Sequence, residues 1–206
     1  MSGIKVHYFD FRGRGEIVRL VLALAGQDFE DVRLSREEWA AKYKSAAPFG
    51  QMPYVEYKGK KYGQSKAISA FFANEFGLYG KSNLDRLRID EVVFLVEDLF
   101  MIIVKAFLEQ DDTKKAELVK KAVDDEFPKF CGFFCRLLRE NSPKGVFVGR
   151  EVTLADLCVH DLMYTILKTH QYDAAAKYPE LQALKEKVEA HPRLQTYLAN
   201  RKETPF

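Results

Sequence analysis

Near its start the chain reads IKVHYF over residues 4–9 and FRGRGE over residues 11–16. The first segment alternates apolar and polar side chains, which is typical of a short strand. Two glycines then form a turn, and a helix is predicted over residues 16–25, where Gly26 ends it. A strand that leads into a helix N-terminus forms an anion site, because unpaired N–H groups and the helix dipole meet there.

Tyr8 ends the predicted strand beside this anion site. A phenol in that position can donate a hydrogen bond to a thiolate or to another anion. This is the chemistry of an enzyme that activates a bound thiol. A tyrosine near a strand end is more often a packed aromatic side chain, so the motif alone leaves both interpretations open.

The composition excludes several classes of protein. With 206 residues the chain fits one large domain or two small ones, and its 47% hydrophobic content is ample for a core. A formal net charge of +2 argues against nucleic-acid binding, which needs clustered basic charge, and the basic residues 58–61 are interpreted as a solvated hairpin turn. No signal peptide is expected, and no membrane span is expected because charged residues interrupt the most apolar run, residues 92–108.

The cysteines are Cys131, Cys135 and Cys158, and their spacing matches no metal or redox motif. Cys131 and Cys135 lie one helical turn apart on an apolar face, so they are interpreted as core residues. Reduced thiols favour a cytosolic protein, and no metal site is predicted.

Residues 1–79 are predicted to form an α/β domain. After the first strand and helix, a second strand covers residues 29–34, and Ser35 with Glu38 provides a capping box for the next helix. Residues 53–57 and 60–62 are predicted to form a hairpin. A helix that starts at Ser65 completes the order βαβ, helical link, ββα, in which the first two strands are parallel.

Residues 82–206 are predicted to form an all-helical domain. Long helical patterns cover residues 85–108 and 114–140, and Pro128 is expected to kink the second helix. Thr153 and Asp156 have the spacing of a capping box for a further helix.

Three features of the first domain could bind a small ligand, and each also has an ordinary structural explanation. A cis Met52–Pro53 bond would turn the backbone of Met52 outward to pair with an extended peptide, although an ordinary trans proline at a strand edge is favoured by default. Ser65 can cap its helix, whose free N–H groups can hold a carboxylate, or it can be a plain N-cap. Trp39 and Lys44 can hold a second carboxylate, or Trp39 can be a half-buried surface residue.

Taken together, these features describe one ligand. They provide two carboxylate sites on either side of a backbone-pairing strand, next to a hydroxyl that can activate a thiol. A short peptide with a carboxylate at each end and a thiol between them fits this arrangement. Glutathione is such a peptide and is the predicted co-substrate.

The chain resembles the cytosolic glutathione transferases of the sigma type, the class that includes glutathione-dependent prostaglandin D synthases and the invertebrate enzymes. The resemblance covers essentially all 206 residues. Its motifs are YFDFRGRGE at 8–16, PFGQMP at 48–53, QSKAI at 64–68 and TLAD at 153–156. It implies a thioredoxin-like domain followed by a helical domain, in a cytoplasmic homodimer that conjugates glutathione in detoxification.

The resemblance also implies residue roles. Tyr8 would be catalytic and donate its hydroxyl hydrogen bond to the glutathione sulfur, and Asp98 would reach the amine of glutathione bound in the other subunit. Thr153 and Asp156 would be structural. The other residues assigned to the glutathione site are Arg14, Trp39, Lys44, Gln51, Met52, Pro53, Gln64 and Ser65.

The acceptor side departs from the family pattern. Sigma-type enzymes often carry an acidic residue one turn before Asp98, where a divalent cation can bind between subunits; Phe94 stands there, so no metal is expected. Lys105 and Cys158 replace a tryptophan and a tyrosine of the prostaglandin synthase pocket. The residues assigned to the electrophile pocket are Phe9, Phe11, Gly13, Phe100, Lys105, Cys158, Leu162 and Phe206.

The predicted function is therefore glutathione S-transferase activity toward electrophiles, with hydroperoxides as further substrates. Two alternatives stay open: a glutathione-dependent prostaglandin H to D isomerase, and a non-catalytic carrier of apolar ligands on the same fold. A lens-type crystallin is disfavoured, because Tyr8, Gln64 and Ser65 are intact and no long insertion between helices is visible. No nucleic acid or membrane partner is predicted.

Overall fold

The computed structural model describes residues 3–141 and 144–204. These residues form two compact units. The first unit holds the described residues up to Tyr79 together with those from Glu189 onward, and the second is Gly80–Val188. The segment after Glu189 therefore groups with the α/β unit, whereas the sequence places it in the helical domain. Among the described residues, no helix combines the length and the apolar character needed to cross a membrane.

The first unit is a sheet with helices, in the order that the sequence predicts. The sheet has four strands in the order β2-β1-β3-β4. Strands β1 and β2 are parallel, and the other two pairs are antiparallel. The elements are β1 Ile4–Phe9, α1 Glu16–Ala25, β2 Glu30–Leu34, α2 Arg36–Glu38, β3 Tyr54–Tyr57, β4 Lys60–Gly63, α3 Ser65–Glu75 and, near the end of the chain, α10 Pro192–Asn200.

Helix α1 fixes the position of the first strand–helix turn. Its apolar face is fully buried, including Val18, Leu20 and Leu22, so the helix cannot slide without exposing core side chains to water. Gly26 ends α1 with φ +68 and donates its N–H to the carbonyls of Leu22 and Ala23. A side chain at this position would also collide with the guanidinium of Arg193, which lies 2.8 Å from the position of its Cβ.

The second unit is helical, and its described part contains no strand. Ser82 and Asp85 cap the longest helix reciprocally. The α-helices are α4 Asn83–Leu108, α5 Asp112–Lys121, α6 Phe127–Glu140, α7 Leu154–Leu162, α8 Ala174–Lys177 and α9 Pro179–Glu189, the last of which ends at the boundary with the first unit.

The prediction of one α-helix over residues 114–140 is wrong in detail. A π-helical turn, Ala122–Glu126, separates α5 from α6. Pro128 lies in the first turn of α6 rather than in a helix interior, where its missing N–H costs little. The interruption therefore precedes the proline by one turn.

The predicted capping box at the start of α7 is confirmed. Asp156 is fully buried and accepts hydrogen bonds from the N–H of Phe147 at 2.9 Å and from the N–H and hydroxyl of Thr153 at 2.7 Å. Burial raises the pKa of Asp156 to about 6, despite these donors. The carboxylate thus connects the loop at Phe147 to the start of α7.

Candidate active site

Tyr8 is the second-last residue of β1, and only 7% of its surface is exposed. Its hydroxyl oxygen accepts a hydrogen bond from the backbone N–H of Arg14 at 3.1 Å. A phenol that accepts one hydrogen bond becomes a better donor through its own O–H, since neighbouring hydrogen bonds polarise each other. The predicted proximity of Tyr8 to the helix start is therefore confirmed at the level of individual atoms.

The two glycines of the turn make room for Tyr8. A Cβ on Gly13 would lie 2.7 Å from the Tyr8 hydroxyl oxygen, and its φ of +38 also disfavours a side chain. A Cβ on Gly15 would lie 2.5 Å from the Tyr8 ring. Glycine at both positions is thus required by the close approach of the phenol.

The amides at the start of α1 differ from the predicted open anion site. A 3₁₀ turn, Gly13–Gly15, precedes the helix. The N–H groups of Gly15 and Glu16 donate to the carbonyl of Arg12 at 3.1 and 3.0 Å. The Arg14 N–H donates to the Tyr8 hydroxyl oxygen. All three of these N–H groups therefore have partners within the protein and do not form an open anion site. The effect of this backbone on a bound anion is therefore exerted through Tyr8.

Aromatic side chains surround the phenol. The Phe11 ring meets Tyr8 edge-on at 5.3 Å between centroids, and the Phe9 ring stacks on Phe11 at 5.5 Å. Trp39 meets Phe9 edge-on at 6.4 Å. Three residues that the sequence assigns to two parts of the site, Phe9, Phe11 and Trp39, thus lie together beside Tyr8.

Trp39 and Lys44 lie one turn apart. The capping box of Ser35 and Glu38 that starts this segment is confirmed. A π-helical turn, Trp39–Tyr43, follows α2, and the Lys44 N–H donates to the Trp39 carbonyl. Trp39 is half-buried and Lys44 is exposed, so a partly exposed indole and an exposed cation lie one turn apart along the chain.

The peptide bond Met52–Pro53 is cis, so the default expectation of a trans bond is wrong. Met52 is half-buried and Pro53 is buried, directly before β3. The preceding residue, Gln51, is exposed. Its side-chain oxygen accepts a hydrogen bond from the Gln64 amide at 3.5 Å. This hydrogen bond joins the segment before β3 to the start of α3, at residues 13 positions apart in the sequence.

Ser65 is the first residue of α3 and is buried, and Gln64 is the N-cap. The prediction that Ser65 caps the helix is therefore wrong by one position, and no side-chain cap hydrogen bond forms. Gln64 has φ +70, a conformation that few residues other than glycine adopt. Such strain is often found where a backbone is held for a ligand.

The remaining assigned residues lie in the second unit or outside the described residues. Asp98 is exposed on α4. The pocket residues Phe100 and Lys105 also lie on α4, and Cys158 and Leu162 lie buried on α7. Phe206 lies outside the described residues. Among residues 3–141 and 144–204, no group of three or more His, Cys, Asp or Glu side chains could hold a metal ion.

The interpretation of Cys131 and Cys135 as core residues is confirmed, since both are free thiols and buried on α6. Burial raises the pKa of Cys131 to about 12 and that of Cys135 to about 11. Neither thiol ionises near neutral pH, and a thiol must ionise to react.

Sequence reasoning missed a buried charged pair behind Tyr8. Glu16 and Arg19 have no exposed surface, and the Arg19 guanidinium carbon lies 5.9 Å from the centre of the Tyr8 ring. The spacing of three residues is visible in the sequence, but it is also the spacing of an ordinary pair on a helix surface. The apolar residues around both positions were the available signal that the pair is buried.

The chain is similar to known proteins over its whole length. The family model for the N-terminal domain of glutathione S-transferases matches residues 4–74, and a model for their C-terminal domain matches residues 97–201. The chain is 35% identical to probable glutathione S-transferase 7 of Caenorhabditis elegans over the whole of both chains. It is also 35% identical to the hematopoietic prostaglandin D synthase of Gallus gallus over 99% of each chain. Among solved structures, monomeric Na-GST-3, a glutathione S-transferase of the hookworm Necator americanus, superposes with a TM-score of 0.84 at 36% identity, over 98% of this chain and 99% of the other.

Proposed function

Because this chain belongs to the glutathione S-transferase family, we propose that Tyr8 activates the glutathione thiol in its active site. The enzyme is a glutathione transferase with glutathione as its co-substrate. The observation that carries the role of Tyr8 is its hydrogen bond from the Arg14 N–H. In that bond the phenol oxygen is the acceptor, so the bond holds the hydroxyl in place without using its proton, and we assign that proton to a hydrogen bond with the glutathione sulfur.

The reaction proceeds by displacement. Glutathione loses its thiol proton to solvent, and the thiolate attacks an electrophilic carbon of the second substrate. A sulfur–carbon bond forms, and the leaving group departs with the electron pair of the bond that breaks. Lowering the pKa of the thiol from near 8.5 by about two units requires roughly 2.7 kcal/mol. A hydrogen bond to a charged group contributes roughly 1.5–3 kcal/mol, so the Tyr8 hydroxyl is an effect of sufficient size.

We assign the rest of glutathione to the surrounding segments. The Met52 backbone pairs with the cysteinyl part, next to the cis bond. Gln64 and Ser65 hold the γ-glutamyl end, and the Gln51–Gln64 contact supports this placement. Trp39 and Lys44 hold the glycine carboxylate, while Arg14 supports the site through its backbone.

Removal of the Tyr8 hydroxyl tests this proposal. In Tyr8→Phe the thiolate loses its donor but the peptide contacts stay, so kcat should fall about tenfold or more while glutathione affinity changes less than about tenfold. Steady-state kinetics and glutathione titration measure both quantities. Unaltered turnover at neutral and mildly acidic pH would refute the role of Tyr8.

A substrate panel separates the alternatives. Purified enzyme with glutathione is offered a model aryl halide, an organic hydroperoxide and a prostaglandin endoperoxide. Conjugation of the aryl halide is the expected result. Isomerisation of the endoperoxide as the dominant activity would favour the prostaglandin alternative, and binding of apolar dyes without turnover would favour the carrier.

We also propose a homodimer. Helix α4 has an exposed apolar side chain at every seventh position. We call this row the α4 stripe; it consists of Leu87, Phe94, Met101 and Leu108. Apolar residues at this spacing are typical of contacts between helices, and an exposed apolar row of this length marks an interaction surface. Asp98 is exposed between Phe94 and Met101, so a partner on the stripe would bring its own Asp98 to the contact.

We further propose that the enzyme is of the sigma type, cytoplasmic and active in detoxification. Its similarity to the Gallus gallus synthase supports the class, and the three buried free thiols fit a reducing compartment. We assign glutathione binding to residues 1–79 and the electrophile to residues 82–206, together with Phe9, Phe11 and Gly13. Helix α10 packs in the first unit, where Arg193 donates to the Leu24 carbonyl at 3.1 Å.

A further inference from the structure

A buried ion pair lies behind the phenol. Glu16 and Arg19 on α1 are both completely buried, and the Arg19 Nη1 donates to Glu16 Oε2 at 3.3 Å. Charged side chains are rarely buried to this degree unless their partners are arranged around them. Neither residue belongs to the set that we assign to glutathione, so their burial calls for a different explanation.

Arg19 is held from three sides. Its Nε donates to Asp31 Oδ1 at 2.8 Å, and its Nη1 also donates to the Phe11 carbonyl at 3.2 Å. The guanidinium carbon then lies 5.9 Å from the centre of the Tyr8 ring, which is within the range of a cation–π contact. A fixed cation at this distance draws electron density from the phenol and makes its hydroxyl a stronger donor.

The last helix completes the pair. The Tyr197 hydroxyl and the Arg201 Nη1 donate to the other carboxylate oxygen of Glu16, at 3.1 and 3.0 Å. Burial raises the pKa of Tyr197, so its hydroxyl keeps its proton and stays a donor across the working pH range. Both contacts join residues more than 180 positions apart, with separations of 181 and 185.

The charges explain why the tail is needed. Two carboxylates, those of Glu16 and Asp31, face the single guanidinium of Arg19. Unopposed, they would leave excess negative charge behind Tyr8 and disfavour a thiolate in front of it. Arg201 offsets Glu16, and Arg33 offsets Asp31 through a hydrogen bond of 2.8 Å. With both in place, the field of Arg19 at Tyr8 is no longer cancelled.

We propose that Glu16 and Arg19 are positioning residues for glutathione activation, and that the C-terminal segment sets the acidity of bound glutathione through Tyr197 and Arg201. This inference rests on the proposed role of Tyr8. The contribution of Tyr197 and Arg201 to catalysis then passes through Glu16, Arg19 and the phenol. The readout is the pKa of the thiol of bound glutathione, which a purely structural role would leave in place.

The decisive comparison uses Arg201→Met and Arg201→Lys in the full-length enzyme. The thiolate absorbance of bound glutathione is titrated against pH in each. Arg201→Met should raise the pKa of the bound thiol by about 0.5–1 unit. At a pH below the thiol pKa of both wild type and variant, this shift leaves roughly threefold to tenfold less thiolate. At that pH kcat should fall by the same factor, while the KM for glutathione changes less than about twofold. Arg201→Lys keeps the charge and should restore most of the acidity.

Lys202→Met is the matched control. It removes the same charge one residue further on, from an exposed side chain that pairs with exposed Asp10. Asp10 also accepts from Arg33 Nη1 at 3.2 Å, so its carboxylate keeps a cationic partner in this variant. Exposed charges are screened by solvent and salt, so the thiol pKa should stay at the wild-type value. In a Tyr8→Phe background, Arg201→Met should cause no further shift, because the route through the phenol is already lost.

Tyr197→Phe carries the test if Arg201→Met does not fold, since it removes one hydroxyl and leaves the ring. The thiol pKa should then rise by about 0.3 unit, or roughly twofold in thiolate. Equal shifts from Arg201→Met and Lys202→Met would overturn the proposal in favour of a general field. Lower melting temperatures with a wild-type thiol pKa would overturn it in favour of a structural role, with the function of Tyr8 intact. A wild-type enzyme that does not acidify bound glutathione would instead refute the role of Tyr8 itself.

Discussion

The phenol of Tyr8 depends on residues that have no side chain. Gly13 leaves space for its hydroxyl and Gly15 leaves space for its ring. Between them, Arg14 presents the backbone N–H that the phenol oxygen accepts. The turn thus places one backbone donor and two glycines without side chains around the phenol, and the orientation of its hydroxyl follows from the backbone path.

We expect Gly15→Ala to lower activity through Tyr8. The new Cβ would lie 2.5 Å from the ring, so the ring must move, at an overpacking cost of about 1–3 kcal/mol in stability. The kcat should fall and the KM for glutathione should change less. Gly132→Ala is the control, because no atom lies within 4 Å of its Cβ and alanine favours a helix by about 0.5–1 kcal/mol. Kinetics and thermal unfolding measure both variants, and normal activity in Gly15→Ala would contradict the packing argument.

Trp39 is the only tryptophan, so its fluorescence reports on one place. Saturating glutathione should change its emission, and Trp39→Ala should raise the KM for glutathione more than it lowers kcat, because the contact is made in the ground state and the transition state alike. An emission spectrum that does not change with glutathione, together with an unchanged KM for glutathione in Trp39→Ala, would show that Trp39 is not part of the site.

Helix starts determine much of the architecture. The capping boxes at Ser35, Ser82 and Thr153 each satisfy backbone donors within one turn. The third differs from the others because Asp156 is fully buried, whereas Glu38 is exposed and Asp85 is half-buried. A buried carboxylate makes stability depend on pH in a way that the other two caps do not.

The pH dependence of stability tests Asp156. Burial raises its pKa from 3.8 to about 6, so the folded state binds this proton more tightly than the unfolded state. The contribution of Asp156 is therefore complete below the unfolded value and is lost as pH rises through about 6. Relative to Asp156→Asn, the wild-type free energy of unfolding should gain about 3 kcal/mol between neutral pH and about pH 4.

Urea denaturation across this pH range measures the difference. Asp125→Asn, at an exposed position, is the control and should keep the wild-type dependence on pH. Parallel curves for wild type and Asp156→Asn would show that the buried carboxylate does not titrate in this range. Loss of activity in folded Asp156→Asn would contradict its structural role.

At the scale of the whole molecule, the α4 stripe is a long row of exposed apolar side chains, with Asp98 beside it. An acid at a shielded interface interacts with a cation more strongly than an exposed acid, which contributes only ~0–1 kcal/mol. If two copies meet on this stripe, Asp98 of the partner subunit can approach the amine of bound glutathione.

We expect Asp98→Asn to weaken glutathione binding several-fold while the dimer stays intact, and high salt should reduce the difference. Isothermal titration and sedimentation measure binding and mass. Phe94→Asp, in the middle of the α4 stripe, should separate the subunits and weaken glutathione binding as well. A wild-type monomer with full activity would defeat both the shared site and the dimer.

The sequence alone determined the order of strands and helices, the capping boxes, the position of Tyr8 at the first turn and the choice of glutathione. The first three depend on alternation, helical periodicity and caps, which act between residues no more than four apart. The choice of glutathione depended on combining features from residues 8 to 65 and on the resemblance of the motifs to the glutathione transferases. The tertiary structure alone decided the cis Met52–Pro53 bond, Gln64 as the cap of α3, the π-helical turn before α6 and the partners of Glu16. Each of these depends on packing against distant segments. The apolar neighbours of Glu16 and Arg19 indicate that the pair is buried, but nothing in the local sequence identifies Arg201, 185 residues away, as the partner of Glu16.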